Sequence, residues 1–173
     1  MIVIVSTTNA EIARVFDRMA GILEMEGGSG FKARAYRRGA QTIRELPRPL
    51  EEMVKDSVNL EKVPGIGKAI AAKVKELLTT GEVQAYERLK APHFPLTLAL
   101  LDIPGVGGVT TMRLLRDTGI TTAPELIAVL ESGAITWLPK TGERSAAMIS
   151  THLKSSLKPK PAKKAEPVAA AHS

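Results

Sequence analysis

Cysteine is absent from this chain of 173 residues, which removes disulfides, thiolate zinc sites and thiol catalysis together. The three histidines, His93, His152 and His172, lie too far apart for a local metal-ligand spacing. Aspartate is scarce: Asp17, Asp56, Asp102 and Asp117 are the full set, and none forms a D-x-D pair of the kind that holds two catalytic metal ions. Long apolar runs are missing as well. The opening run, residues 2–5, falls far short of the roughly 20 residues that cross a bilayer. It also lacks the basic flank and long core of a signal peptide. The expectation is a soluble, cytoplasmic protein with no membrane partner. Aromatic residues make up only 3%, so the core must be aliphatic.

What is present begins with positive charge, which is unevenly spread. The net charge is +6. Lys154, Lys158, Lys160, Lys163 and Lys164 against Glu166 give the last twenty residues +4, leaving +2 for residues 1–153. The high isoelectric point therefore comes mostly from a tail. Rich in Lys, Pro and Ala, that tail has almost nothing to bury and is expected to be disordered. Such a tail adds either non-specific phosphate attraction or plain solubility.

Hydrophobic spacing predicts helices throughout. Thr8 and Glu11 stand at capping-box spacing; Ile12, Val15, Phe16, Met19, Ile22 and Leu23 then recur at helical intervals up to about residue 26. Gly27, Gly28 and Gly30 end that segment. Further helices are predicted at 31–46, 50–54, 68–80, 83–90, 96–101, 109–117, 124–132 and 143–154, with Thr122 and Glu125 as a second capping box. Pro92 and Pro95 mark a boundary. The fold class is all-α: a leader (1–7), a helical domain (8–91), a second helical subdomain (92–155) and the tail (156–173).

An internal repeat is the most informative feature. Val63-Pro64-Gly65-Ile66-Gly67 and Ile103-Pro104-Gly105-Val106-Gly107 share one pattern 40 residues apart, and Leu138-Pro139-Lys140-Thr141-Gly142 is a weaker third copy. Each follows an apolar segment and opens a helix. Two glycines around one aliphatic residue permit a tight turn anchored to the core. The free amides at the next helix start then suit a phosphate oxygen. A linker that merely needs glycine is the plainer reading, but two matched copies favour phosphate contact through Gly65, Ile66, Gly67, Gly105, Val106, Gly107 and Gly108. The pattern is a helix-hairpin-helix motif in each subdomain, a device that reads DNA backbone rather than bases. On the helix at 31–46, Arg34, Arg37, Arg38 and Arg44 fall on one face, interrupted only by Glu45, with Phe31, Ala35, Ile43 and Leu46 turned inward. That stripe is read as phosphate-facing.

The stretch Phe31-Lys-Ala-Arg-Ala-Tyr-Arg-Arg38, followed by two Pro-Gly-x-Gly hairpins, resembles the N-terminal region of X-family DNA polymerases over roughly residues 8–154. The resemblance implies a lyase domain that removes 5′-deoxyribose phosphate in base excision repair, then a helix-hairpin-helix subdomain that grips DNA. It places Lys73 at the nucleophilic lysine. The apolar face of that helix is Ile70, Ala71, Val74, Leu77 and Leu78, and Lys73 lies at its boundary, where partial desolvation suits an amine nucleophile. The other reading of Lys73 is a boundary lysine on a purely DNA-binding domain. Lys68 and Lys75 on the opposite boundary read as phosphate contacts or solvated charges.

Lys32, Tyr36 and Arg37 match the family's phosphate- and sugar-contacting stretch. Ala69 and Ala85 stand where the family has phosphate lysines, Ala72 where it has an acidic neighbour and Glu61 where it has a helper lysine. These departures imply weaker substrate binding more than lost chemistry. The resemblance also implies no required cofactor, with Na+ or K+ held by backbone carbonyls of Glu61, Val63 and Ile66 in the first hairpin and Leu101, Ile103 and Val106 in the second. The implied partner is gapped, nicked or junction DNA at the nucleoid, with a polymerase or other repair protein beside it. No palm carboxylates are visible, so the chain is expected not to polymerise DNA by itself. The competing reading is a non-catalytic interaction module or the split-off DNA-binding part of such a polymerase, which should expose an apolar patch around Ala146, Met148, Ile149 and Leu153.

Overall fold

A computed structural model describes residues 4–138 and 142–158. Helix α1 (Asn9–Met25) starts as its sequence requires: Thr8 accepts the Glu11 amide while the Glu11 carboxylate accepts the Thr8 amide, both halves of a capping box. It turns at Gly27, where φ is +66°, into α2 (Gly30–Glu45), capped by Ser29. Asn9 then pins the chain that follows α2. Its amide donates to the Arg48 carbonyl at 2.9 Å and its oxygen accepts the Leu50 amide at 2.8 Å, which sets the start of α3 (Leu50–Lys55). A single 3-10 turn (Leu60–Lys62) leads through the first hairpin into α4 (Lys68–Thr80), and α5 (Gln84–Lys90), α6 (Pro95–Leu101), the second hairpin and α7 (Gly108–Thr118) complete a first compact unit ending at Gly119. The second unit begins at Ile120 and holds α8 (Ala123–Glu131) and α9 (Gly142–Leu157). Among the described residues there is no strand, and the fold is all-α.

The first unit buries one aliphatic core. Ile12, Phe16, Met19 and Ile22 from α1 meet Ile43 of α2, Leu60, and Ile70, Val74 and Leu78 of α4. These side chains recur at i, i+3, i+4 spacing, so each helix turns a continuous apolar stripe inward. The face read from the α4 sequence is the face it buries. Before α1 the leader is tied down by the Val5 amide, which donates to the Leu78 carbonyl at 2.6 Å. The compact unit extends beyond the proline boundary near residue 92. It does so because α6 and α7 both pack on α1, and Arg18 of α1 grips Asp102 at 2.7 and 2.5 Å and the Tyr86 hydroxyl at 2.9 Å.

In the second unit Ala146, Ile149 and Leu153 of α9 are buried with Leu126, Ile127 and Leu130 of α8. The apolar patch expected of an interaction module is therefore packed away, leaving Met148 partly exposed. One further expectation differs. Thr122 precedes α8 but makes no side-chain cap, so its capping-box spacing is not used. The third hairpin copy and the tail beyond Lys158 lie mostly outside the described residues. No described helix is long and apolar enough to cross a membrane.

Candidate DNA-backbone interface and lysine site

The two hairpins adopt the same turn. Gly65 and Gly105 sit at φ of +94° and +83°, the left-handed region that glycine enters without steric cost. Ile66 and Val106 are buried and donate their amides to the Val63 and Ile103 carbonyls at 3.0 and 3.1 Å. Gly67 and Gly107 then cap α4 and α7 in matching extended conformations without any side-chain cap of their own. Identical spacing has produced matching backbone, and each turn leaves the first amides of a helix without an intrahelical acceptor.

Their surroundings differ. At the first hairpin no described side chain accepts a hydrogen bond from the opening amides of α4, and Lys68 and Lys75 are exposed beside it. At the second, the Gly108 amide donates to Glu24 Oε2 at 3.1 Å. Gly108 is itself pressed against α1: a Cβ there would meet the Gly21 carbonyl oxygen and lie 2.7 Å from Glu24 Cβ.

The arginine stripe divides in the same way. Arg34 and Arg38 are exposed and form no ion pair among the described residues. Arg37 binds Glu24 through Nε at 2.8 Å and Nη2 at 3.0 Å, with Asp17 3.5 Å away, and Arg44 binds Asp17. Asp17 and Glu24 are seven residues apart, as are Arg37 and Arg44, which places each pair on one helix face. The antiparallel helices thus match acid to base twice. The spacing within α2 alone cannot show this pairing; the i, i+7 acids on α1 are the signal that could. Phe31, expected to turn inward, is 74% exposed, because the buried face of α2 is Ala33, Tyr36, Gly39, Ala40 and Ile43, and at about 100° per residue Phe31 lies well off that face. Ala35 is only partly buried.

Electrostatics follow the geometry. Arg37, helped by the Gly108 amide, holds the Glu24 carboxyl below its ordinary value against the opposing effect of burial. The Glu24 carboxylate raises Arg37 in return. For Arg18, burial works against the charge, but Asp102 and Tyr86 outweigh it and its pKa is raised.

Tyr36 is buried, 3% exposed, with its ring 5.9 Å from that of Phe16, and burial raises its phenol pKa. Over that ring stand two ammonium groups, Lys73 Nζ at 5.9 Å and Lys32 Nζ at 6.0 Å, within cation–π reach. The sequence-read candidates Lys32, Tyr36 and Lys73 thus share one locality, and Lys73 is half-buried. Among the described residues no three His, Asp or Glu side chains gather as a metal site. The carbonyls of Val63 and Ile103 each keep a second lone pair beside their turn hydrogen bond, a donor chemistry that fits a monovalent cation.

Comparison with known proteins defines the class. Residues 7–83 match the helix-hairpin-helix domain family and residues 97–155 the SAM-like helix-hairpin-helix tandem. Both matched segments are of helix-hairpin-helix type, which is consistent with the helix-hairpin-helix region of X-family DNA polymerases. It is similar to the DNA polymerase/3'-5' exonuclease PolX of Bacillus subtilis (strain 168), 29% identical over 139 residues, covering 80% of this chain and 24% of that protein. It is also similar to DNA polymerase lambda of Arabidopsis thaliana, 26% identical over 107 residues, covering 61% of this chain and 19% of that protein. The chain matches about a quarter or less of these relatives' length.

Proposed function

We propose that this protein binds the sugar–phosphate backbone of DNA at gaps, nicks or 5′ ends during repair, and that Lys73 gives it 5′-deoxyribose-phosphate lyase activity. The helix start at the first hairpin has no side-chain cap, the second hairpin repeats its turn, and Arg34, Arg38, Lys68 and Lys75 are exposed; these groups suit phosphates rather than base edges. Similarity to two DNA polymerases supports DNA as the partner. Backbone carbonyls of Glu61, Val63, Ile66, Leu101, Ile103 and Val106 would hold Na+ or K+, adding positive charge beside a bound phosphate. Affinity then falls steeply with salt and varies little with sequence.

The observation that carries the lyase reading is the placement of Lys73 and Lys32 over the Tyr36 ring. Lys73 Nζ, as the free amine, attacks C1′ of the ring-opened sugar, and loss of water leaves an imine. Removal of a C2′ proton then breaks the C3′–O bond. The DNA leaves with its 5′-phosphate, and water hydrolyses the unsaturated sugar phosphate from the lysine. Lys32 and Tyr36 border the sugar phosphate rather than enter the bond changes.

Borohydride trapping on gapped DNA with a 5′-deoxyribose phosphate tests this. Wild type should give a covalent adduct, and Lys73→Ala should bind equally and give none. Binding without any adduct would reduce the protein to a backbone clamp; absence of binding at low salt would remove both halves of the proposal.

A further inference from the structure

The two hairpins share a backbone but not a state, and the difference is one carboxylate. Glu24 receives three N–H groups: Nε and Nη2 of Arg37 and the Gly108 amide, at 2.8, 3.0 and 3.1 Å. A bidentate guanidinium with a helix-start amide is the donor set that takes a phosphate. An open groove of about 560 Å³ runs past it, lined by Asp17, Glu24, Arg37, Arg44, Gly105 and Gly107. Glu24 and Arg37 keep 28% and 39% of their side-chain surface exposed, so the pair is reachable from solvent.

We infer that Glu24 is an internal stand-in for a DNA backbone phosphate: it closes the second hairpin in the free protein, and DNA binds there by exchanging phosphate for this carboxylate. The inference rests on the backbone-binding reading above. It makes the hairpins unequal, the first open and the second gated. The exchange is balanced in kind, because Arg37 and the Gly108 amide release one anion and take another while Glu24 turns out into water. Only the phosphate that arrives with correctly spaced neighbours at the first hairpin has the effective concentration to compete with a tethered carboxylate. The gate therefore lowers affinity for isolated phosphates and for strands that reach only one hairpin.

The test is Glu24→Gln in the whole chain, titrated with gapped DNA across salt concentrations. Its amide oxygen still accepts from Gly108, but Arg37 loses its charged partner at Glu24 and keeps only the longer Asp17 contact at 3.5 Å. The expected result is binding about tenfold tighter at low salt, with the log–log salt slope little changed, because both complexes neutralise the same phosphates. Adding Arg37→Ala should cancel that gain. Unchanged or weaker binding by Glu24→Gln, with wild type binding normally, overturns the gate and makes Glu24 a fixed cap of α7. Failure of both proteins to bind overturns the backbone-binding reading itself. Should the variant not fold, amide NMR of the wild type decides. Movement of the Gly108 amide and the Arg37 Nε–H together on DNA addition supports exchange; movement confined to the first hairpin refutes it.

Discussion

Thr111 is fully buried in α7, and its hydroxyl has no hydrogen-bond partner among the described residues. An unpaired buried hydroxyl costs more than an apolar group of the same shape. Thr111→Val should therefore stabilise the fold by about 1 kcal/mol, read as a higher denaturant midpoint at unchanged slope; a lower midpoint would mean that the hydroxyl is bonded after all. Glu24 makes the opposite argument, from a polar group that is over-supplied with donors. Its carboxyl lies below its ordinary value when folded, chiefly through Arg37. Between the folded and unfolded values the unfolded chain binds the extra proton, so stability rises with pH there. The Glu24 contribution is complete above the unfolded carboxylate value and is lost as pH falls through the folded one. The stability gap between wild type and Glu24→Gln should narrow across that acid window and stay constant above it. A gap independent of pH would show that the Arg37 contact does not depend on charge. Neither residue can be judged from the sequence, since both depend on which helix face lies opposite.

Among the elements, the hairpins are readable in the sequence because everything that shapes them is local: two glycines, one aliphatic anchor and a helix start. Their surroundings are not local, and the same substitution separates the two copies. A Cβ at Gly65 would run into the Thr42 hydroxyl, whereas a Cβ at Gly105 meets nothing within 4 Å. Both positions carry the left-handed φ, which costs a non-glycine residue about 1 kcal/mol or more. Gly105→Ala should cost about 1 kcal/mol, and Gly65→Ala about 2–3 kcal/mol because steric conflict adds to strain. Equal losses in denaturant titration would mean that the Thr42 side chain simply turns aside. Capping shows the same division. Thr8 with Glu11 and Thr122 with Glu125 have one spacing, yet only the first closes its box. The spacing permits the reciprocal bonds; the entry angle of the chain decides whether they form. Phe31 and the half-neutralised arginine stripe fall on the same side of that line, since a helical wheel shows angles but not what stands across from them.

For the whole molecule the open question is how charge divides between attraction and recognition. The chain carries +6, and residues 159–173 hold Lys160, Lys163 and Lys164 against Glu166, a net +2. Helices α2 and α4 present Lys32, Arg34, Arg38, Lys68 and Lys75, all exposed. Lysines that answer only to phosphate charge draw every duplex alike, because gapped and intact DNA have nearly the same charge density. Reading a gap or a 5′ end requires donors at fixed spacing, a role that the proposed function gives to the helix starts. Deleting residues 159–173 should therefore weaken binding to gapped and intact duplex by the same factor, lowering the log–log salt slope by about 0.9 for each phosphate that the tail had neutralised. The preference for gapped DNA should survive. Lys68→Ala should do the reverse, with a slope change of about 1 and a preference that falls, because one of the placed donors has gone. If deleting the tail abolished the preference while Lys68→Ala left it intact, recognition would reside in the lysine-rich segment and the hairpins would serve only to hold the helices together.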